Sequence, residues 1–192
     1  MLSIVPFRFL PRCGSLASTL RSKVSLPKTG AYNASISSYW AQEEAMITPE
    51  YVLSATSARD GSTALKVLAP RRWKFAVRGG GHGAIPGIAN IENGVTIDLR
   101  GLNSVTVSLD RKTVTVGGGQ SWGAVYEKLN PLGLAVSGGR HAPVGVGGST
   151  LGGGFGYLTA RVGFACDNVV RFEVVLANGS IVTASSITDP NL

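Results

Sequence analysis

Between Gly138 and Gly156, nine of nineteen residues are glycine, in a chain of 192 residues that holds 26 glycines in all. So bare a stretch cannot build a hydrophobic core, and each glycine loses more backbone freedom on folding than another residue would. The offset has to come from something held close to the main chain. Val144, Val146, Leu151 and Phe155 interleave through the run, which argues against a flexible linker. A shorter cluster lies upstream, where the brief apolar run Phe75-Ala76-Val77 passes into Arg78-Gly79-Gly80-Gly81-His82-Gly83. A strand running into such a loop lets backbone N–H groups converge on an anion, with the Arg78 charge beside them. The loop suits a phosphate or pyrophosphate.

Gly79-Gly80-Gly81-His82-Gly83-Ala84 formally matches the G-x-G-x-x-A dinucleotide fingerprint, with Asp98 near the place of a ribose-binding acid. The context excludes that reading. A Rossmann loop must open a helix, whereas Ile85-Pro86-Gly87-Ile88-Ala89-Asn90 and then Asn93-Gly94 cannot sustain one.

The coarse pattern predicts mixed helix and strand. Tyr51–Leu53 is a strand, and Ser57 to Asp60 has capping-box spacing ahead of a helix through Thr63–Leu68. Lys74–Val77, Val95–Leu99, Val105–Val107 and Thr113–Val116 read as further strands, the last two forming a hairpin that Gly117-Gly118-Gly119 breaks off. Ser121 caps a helix with Trp122, Val125, Tyr126 and Leu129 on one face. Phe172–Leu176 pairs with Ile181–Ala184 across Asn178-Gly179.

The net charge of +7 does not indicate nucleic acid. Arg8, Arg12, Arg21, Lys23 and Lys28 all precede the first acid, Glu43, and the rest of the chain is nearly balanced, without a basic stripe. No run is long enough for a membrane span, and no membrane partner is expected. Two cysteines, Cys13 and Cys166, make neither a disulfide framework nor a metal site, and no metal is expected. Asn33-Ala34-Ser35 and Asn178-Gly179-Ser180 are glycosylation tripeptides. The first 37 residues are basic, serine-rich and a poor secretory leader, so the compartment is left open.

Arg78 to His82, the run from Gly138 to Tyr157, and Ala160 to Val170 together resemble the flavin-binding segments of the p-cresol methylhydroxylase and vanillyl-alcohol oxidase superfamily, especially its berberine bridge enzyme-like oxidoreductases. The resemblance covers about residues 36–192, the first two-fifths to half of a usual member. It implies an α+β, PCMH-type FAD-binding fold, with a small α/β lobe beside a larger, mainly antiparallel sheet lobe. Residues 1–37 are then a basic N-terminal extension, and 38–192 an FAD-binding domain truncated at its C-terminal end.

The cofactor implied is FAD, with contacts from Arg78, Gly79, Gly80, Gly81, His82, Gly83, Gly147, Gly148, Ser149, Thr150, Gly152, Gly153, Gly154, Tyr157 and Gly163. Ile181 and Val182 occupy the strand whose backbone holds the adenine in relatives. The family's loop histidine is often bonded covalently to the flavin 8α-methyl carbon, which makes His82 the candidate. The residues alone leave a second role, that of a histidine bonding the loop backbone. His141 stands where doubly linked relatives carry a cysteine, so attachment is through His82 alone or absent; His141 faces the flavin or bonds water. Asp167 and Asn168 either fix backbone beside the flavin or form a plain turn.

In complete relatives the flavin oxidises an alcohol, a sugar or an alkaloid-like secondary metabolite and passes electrons to dioxygen. A small-molecule substrate and dioxygen are therefore the implied partners. The family's substrate-side base falls beyond Leu192, so no residue here is a catalytic candidate. Two other readings stand beside this one: a flavin-nucleotide-binding module without turnover, and a glycine-rich structural β-protein without ligand.

Overall fold

The computed structural model describes residues 14–20 and 22–192; Cys13, the rest of the first thirteen residues and Arg21 lie outside that range. The chain passes through α1 (Gly14–Thr19), β1 (Val24–Ser25), α2 (Gly30–Ile36), α3 (Gln42–Ala45), β2 (Tyr51–Ser54), α4 (Ala58–Leu68), β3 (Phe75–Arg78) and β4 (Val95–Asp98). There follow β5 (Val105–Val107), β6 (Val114–Val116), α5 (Trp122–Leu129), α6 (Val146–Leu151), α7 (Thr159–Val162), β7 (Phe172–Val175) and β8 (Ile181–Ala184).

The expected strand, helix, strand unit is present, but its two strands do not touch. Sheet order is β1-β2-β4-β3, so β4 enters between β2 and β3 and runs parallel to both. All four residues of β4 are buried, as befits a central parallel strand covered on both faces. One face is apolar: Val95 and Ile97, with Tyr51 and Leu53 of β2, pack on Ala64, Leu65 and Leu68 of α4 and on Leu16 of α1. The other face is buried and polar. Thr96 donates to Asn90, whose amide in turn donates to the Glu44 and Ile47 carbonyls, and Asp98 accepts from Ser35. Buried polar groups paid with partners in this way cost little and fix one arrangement.

The boundary expected at residue 37 falls inside this lobe. Leu16, Val24 and Leu26 belong to the sheet's apolar core, and β1 pairs antiparallel with β2. The basic composition of the segment had concealed those apolar positions.

A second core lies under α5, where Trp122, Val125 and Leu129 meet Ala165 and the valines of the β5–β6 hairpin. Antiparallel pairing joins β1 to β2 and the strands of each hairpin, and a single antiparallel bridge between Ser121 and Gly145 ties the start of α5 to the start of α6. The β7–β8 hairpin turns through Ala177 and Asn178, with Gly179 following at φ +80° and its N–H on the Leu176 carbonyl. The glycine thus serves as the residue after a turn. Ser62 of α4 donates to the Gly179 carbonyl and docks the hairpin.

α4 starts at the expected capping box. Ser57 accepts from the Asp60 N–H, and the Asp60 carboxylate accepts from the Ser57 and Thr56 N–H groups and from Lys23 at 2.6 Å. Burial by itself would raise this carboxyl; the bonds from Lys23, Thr56 and Ser57 outweigh it and hold the group at about 2. A folded value below the unfolded one means stabilisation that is complete above the usual carboxylate range and is lost as pH falls towards 2. Asp60→Asn is expected to lower the unfolding free energy by about 1 kcal/mol at neutral pH and by much less near the folded carboxyl's midpoint, read from urea transitions at the two pH values.

Candidate functional site

β3 ends at Arg78 and releases Gly79–Gly83 at the carboxyl edge of the sheet. There the loop meets two other glycine stretches, Gly117–Gly119 after β6 and Gly145–Gly148 at the start of α6. A Cβ built on Gly80 would stand 2.7 Å from the Gly145 Cα, and one on Gly147 would stand 2.6 Å from the Gly118 carbonyl oxygen. Main chain lies directly on main chain, so any side chain at Gly80, Gly145 or Gly147 would have to displace backbone. These glycines do more than approach a ligand. Gly118, legible in the sequence only as a break in the hairpin, is the third member of the crossing.

Arg78 does not face the loop's interior as expected. Its side chain is fully buried and turns back to the C-terminal end of α2, donating to the Ser35 carbonyl at 2.6 Å and to the Ser38 carbonyl and hydroxyl at 3.0 Å. Its guanidinium lies 3.7 Å from the centre of the Tyr39 ring and 3.9 Å from the Asp98 carboxylate. A planar cation with fixed donors suits the orphan carbonyls of a helix end and an aromatic face at once. Burial draws the Arg78 guanidinium below its ordinary value, with Asp98 opposing. Burial would raise Asp98, but the hydrogen bonds from Arg100 and Ser35 prevail and hold its carboxyl low. Burial likewise pushes the Tyr39 hydroxyl up; that hydroxyl donates to the Ala89 carbonyl. Ser35, Ser38 and Tyr39 escaped sequence reasoning because they reach Arg78 across about forty residues, and Arg100 because it enters only through its bonds to Asp98 and Ser38. Arg78 therefore supports the loop from beneath: Gly81, at φ +72°, passes so close that a Cβ there would lie 2.6 Å from Arg78 Nε.

His82 follows at the mouth of the crossing. Its imidazole stacks on the Trp40 indole, with centroids 4.6 Å apart and planes 12° from parallel. The His141 ring meets it edge-on at 5.1 Å and 77°, so the structure brings together the two histidines of the two glycine segments. His82 Nε2 is buried and has no protein partner, and Thr150 Oγ1 shares that condition.

The other expected residues divide. Gly148 and Gly153 have open space where a Cβ would stand, while Gly79 and Gly152 have only ordinary contacts there. Gly83 is closed by Ile88 and Gly154 by Ala165. The Ser149 hydroxyl is committed within the protein, donating to the Gly145 carbonyl and accepting from the Trp122 indole, each at 2.7 Å. Tyr157 is exposed beside a shallow apolar concavity that Tyr126 and Val136 also line. Asp167 accepts from the Phe164 N–H, Asn168 donates to the Val162 and Phe164 carbonyls, and Gly163 sits at φ +82° against Asp167. These three form a turn that holds itself. Ile181 and Val182 pair with Val175 and Val174 in the β7–β8 hairpin and do not join the glycine crossing.

Bare main chain at the crossing, open space beside Gly148 and Gly153, a buried unpartnered nitrogen on His82 and an unpartnered hydroxyl on α6 fit an anionic cofactor bearing an aromatic ring. A family model described as an FAD binding domain matches residues 49–185. The FAD-dependent monooxygenase FUP4 of Fusarium proliferatum is 38% identical over 193 residues, covering 94% of this chain and 37% of its own. Among solved structures, 6-hydroxy-D-nicotine oxidase from Arthrobacter nicotinovorans superposes with a TM-score of 0.80 at 30% identity, over 88% of this chain and 36% of that one. Glucooligosaccharide oxidase from Acremonium strictum, described with a 6-S-cysteinyl, 8α-N1-histidyl FAD, shares the fold at a TM-score of 0.80 and 24% identity, over 91% of this chain and 37% of its own. The chain belongs to this family of FAD-binding domains, its fold is the PCMH-type one, and its cofactor is FAD. It spans a little over a third of the length of the relatives it matches.

Two substitutions separate the glycines that hold the crossing from those that face open space. Gly145→Ala, which places a Cβ 2.5 Å from the Gly80 nitrogen, is expected to cost about 1–3 kcal/mol in urea unfolding of the FAD-free protein. Gly148→Ala is expected to leave that stability unchanged or slightly raised, since helical alanine exceeds glycine by about 0.5–1 kcal/mol, while weakening FAD binding in a fluorescence titration.

Proposed function

We propose that this chain is the cofactor-holding part of an oxygen-dependent oxidoreductase acting on a small alcohol, sugar or secondary metabolite, with FAD attached through His82. The observation that carries the reading is the His82 ring at the mouth of the glycine crossing, with one nitrogen buried and unpartnered. Bound FAD supplies the two-electron chemistry, accepting a hydride and yielding its electrons to an acceptor, for which dioxygen is proposed.

The protein's part is placement. Gly79, Gly148, Gly152 and Gly153 offer main chain without side-chain obstruction, which favours the phosphates and the ring edge. Arg78 keeps the loop's shape by tying β3 to the end of α2. His82 supplies the attachment nitrogen, and a neutral imidazole has the nucleophilic lone pair that such a bond requires. The histidyl linkage in the description of glucooligosaccharide oxidase supports this assignment. His141, edge-on to His82, has no thiol to offer a second bond, so one link is proposed.

The named reactions of the relatives differ, from monooxygenation to oxidation of a nicotine derivative and of an oligosaccharide. That spread favours a lobe that handles the flavin and leaves substrate choice to other residues. Acid precipitation of the yellow protein is expected to carry flavin into the pellet from wild type and to leave it in the supernatant from His82→Ala. An equal covalent adduct in the variant would remove His82 from the role. Bleaching of the bound flavin by alcohols or sugars under nitrogen, and its recovery on admitting air, tests the oxidoreductase reading; a flavin that no substrate bleaches supports a binding module without turnover.

A further inference from the structure

We propose that Trp40 is the positioning residue for His82, fixing the plane of the imidazole from which the flavin bond is made. The proposal rests on the reading of His82 as the attachment point. Trp40 is 61% exposed, so its indole is not there to fill a core, yet it lies flat against the imidazole at 4.6 Å. Offset stacking between aromatic rings is favourable and directional, and it removes rotation about the histidine's outer torsion.

The platform is itself anchored. The Trp40 N–H donates to the Gly81 carbonyl at 3.0 Å, which ties the indole's backbone to the residue before His82. On one side of Trp40, Tyr39 is buried beneath the Arg78 guanidinium with its hydroxyl on Ala89; on the other, Ala41 is buried. With His141 closing the edge, the ring is held from two directions and its Nε2 is kept from water. Bond formation joins a ring nitrogen to the 8α-methyl carbon: the N–H proton and one methyl proton leave, and the released electron pair passes to the isoalloxazine and then to dioxygen. Such a step depends on the angle of the attacking lone pair, and a fixed ring raises its rate without changing how much FAD is bound.

The test follows covalent attachment with time after FAD is added to the purified chain, by acid precipitation of wild type, Trp40→Leu and Trp40→Phe. Leucine keeps apolar bulk without a ring face, and phenylalanine restores the face. Trp40→Leu is expected to slow attachment about tenfold while total bound FAD changes by less than about twofold, and Trp40→Phe to recover most of the rate. Attachment at the wild-type rate in Trp40→Leu, or a faster rate because the indole occupies the flavin's own place, overturns the proposal. If wild type attaches no flavin, the attachment reading of His82 has failed, and the positioning role is decided on the FAD-free protein by NMR. His82 ring protons there are expected to carry an upfield ring-current shift that Trp40→Leu abolishes and Trp40→Phe largely retains. Unchanged His82 resonances in Trp40→Leu overturn the positioning role on their own.

Discussion

The site depends on a contact between backbones. At Gly80 and Gly145 two chain segments pass with no room for a single carbon between them, and Gly118 closes on Gly147 in the same way. Side-chain packing tolerates exchange of one shape for another, but a crossing of this kind has a single solution, the absence of a side chain. It also joins the two halves of the chain. One segment leaves the parallel sheet at β3, while the others belong to the core under α5. Any relative movement of the two cores would part or jam the crossing, so the geometry that FAD meets is set by how both cores pack.

Beneath the crossing, a buried cation stands in for the apolar filling usual at the end of a parallel strand. Arg78 satisfies carbonyls at the end of α2, faces the Tyr39 ring and lies near Asp98, whose charge Arg100 neutralises more directly at 2.6 Å. Buried pairs of this kind contribute little net stability, because desolvation consumes most of the attraction. Their value is that a partner lost is costly, which leaves the chain one way to connect α2, β3 and β4. The loop that follows Arg78 inherits that definition.

The features legible in the sequence were local ones. The capping box of Ser57 and Asp60, the helix of Trp122 to Leu129 and the hairpin valines rest on spacings of a few residues, and they stand where expected. The order β2-β4-β3 was not legible, because parallel neighbours are joined by long crossovers and alternate strands carry the same β-branched signal. The glycine segments announced a ligand, but not which of their members would face it: Gly80 and Gly147 look like Gly148 until the partner backbone is in place. Arg78 misled for the same reason, its partners lying forty residues upstream. Trp40 gave no signal at all, since one aromatic residue outside any periodic pattern is indistinguishable from surface until its ring is seen on His82.

The burial of Ser35 bears on glycan acceptance. Its hydroxyl donates to Asp98 and its carbonyl receives Arg78, so the tripeptide Asn33-Ala34-Ser35 has its third residue sealed on the buried face of α2 once the lobe has closed. Asn178-Gly179-Ser180 lies instead on the tip of the β7–β8 hairpin, with Asn178 and Ser180 both exposed. A transferase meeting the folded chain would find the second tripeptide open and the first closed. A sugar on Asn33 would be the mark of a chain that was modified before the parallel sheet had formed.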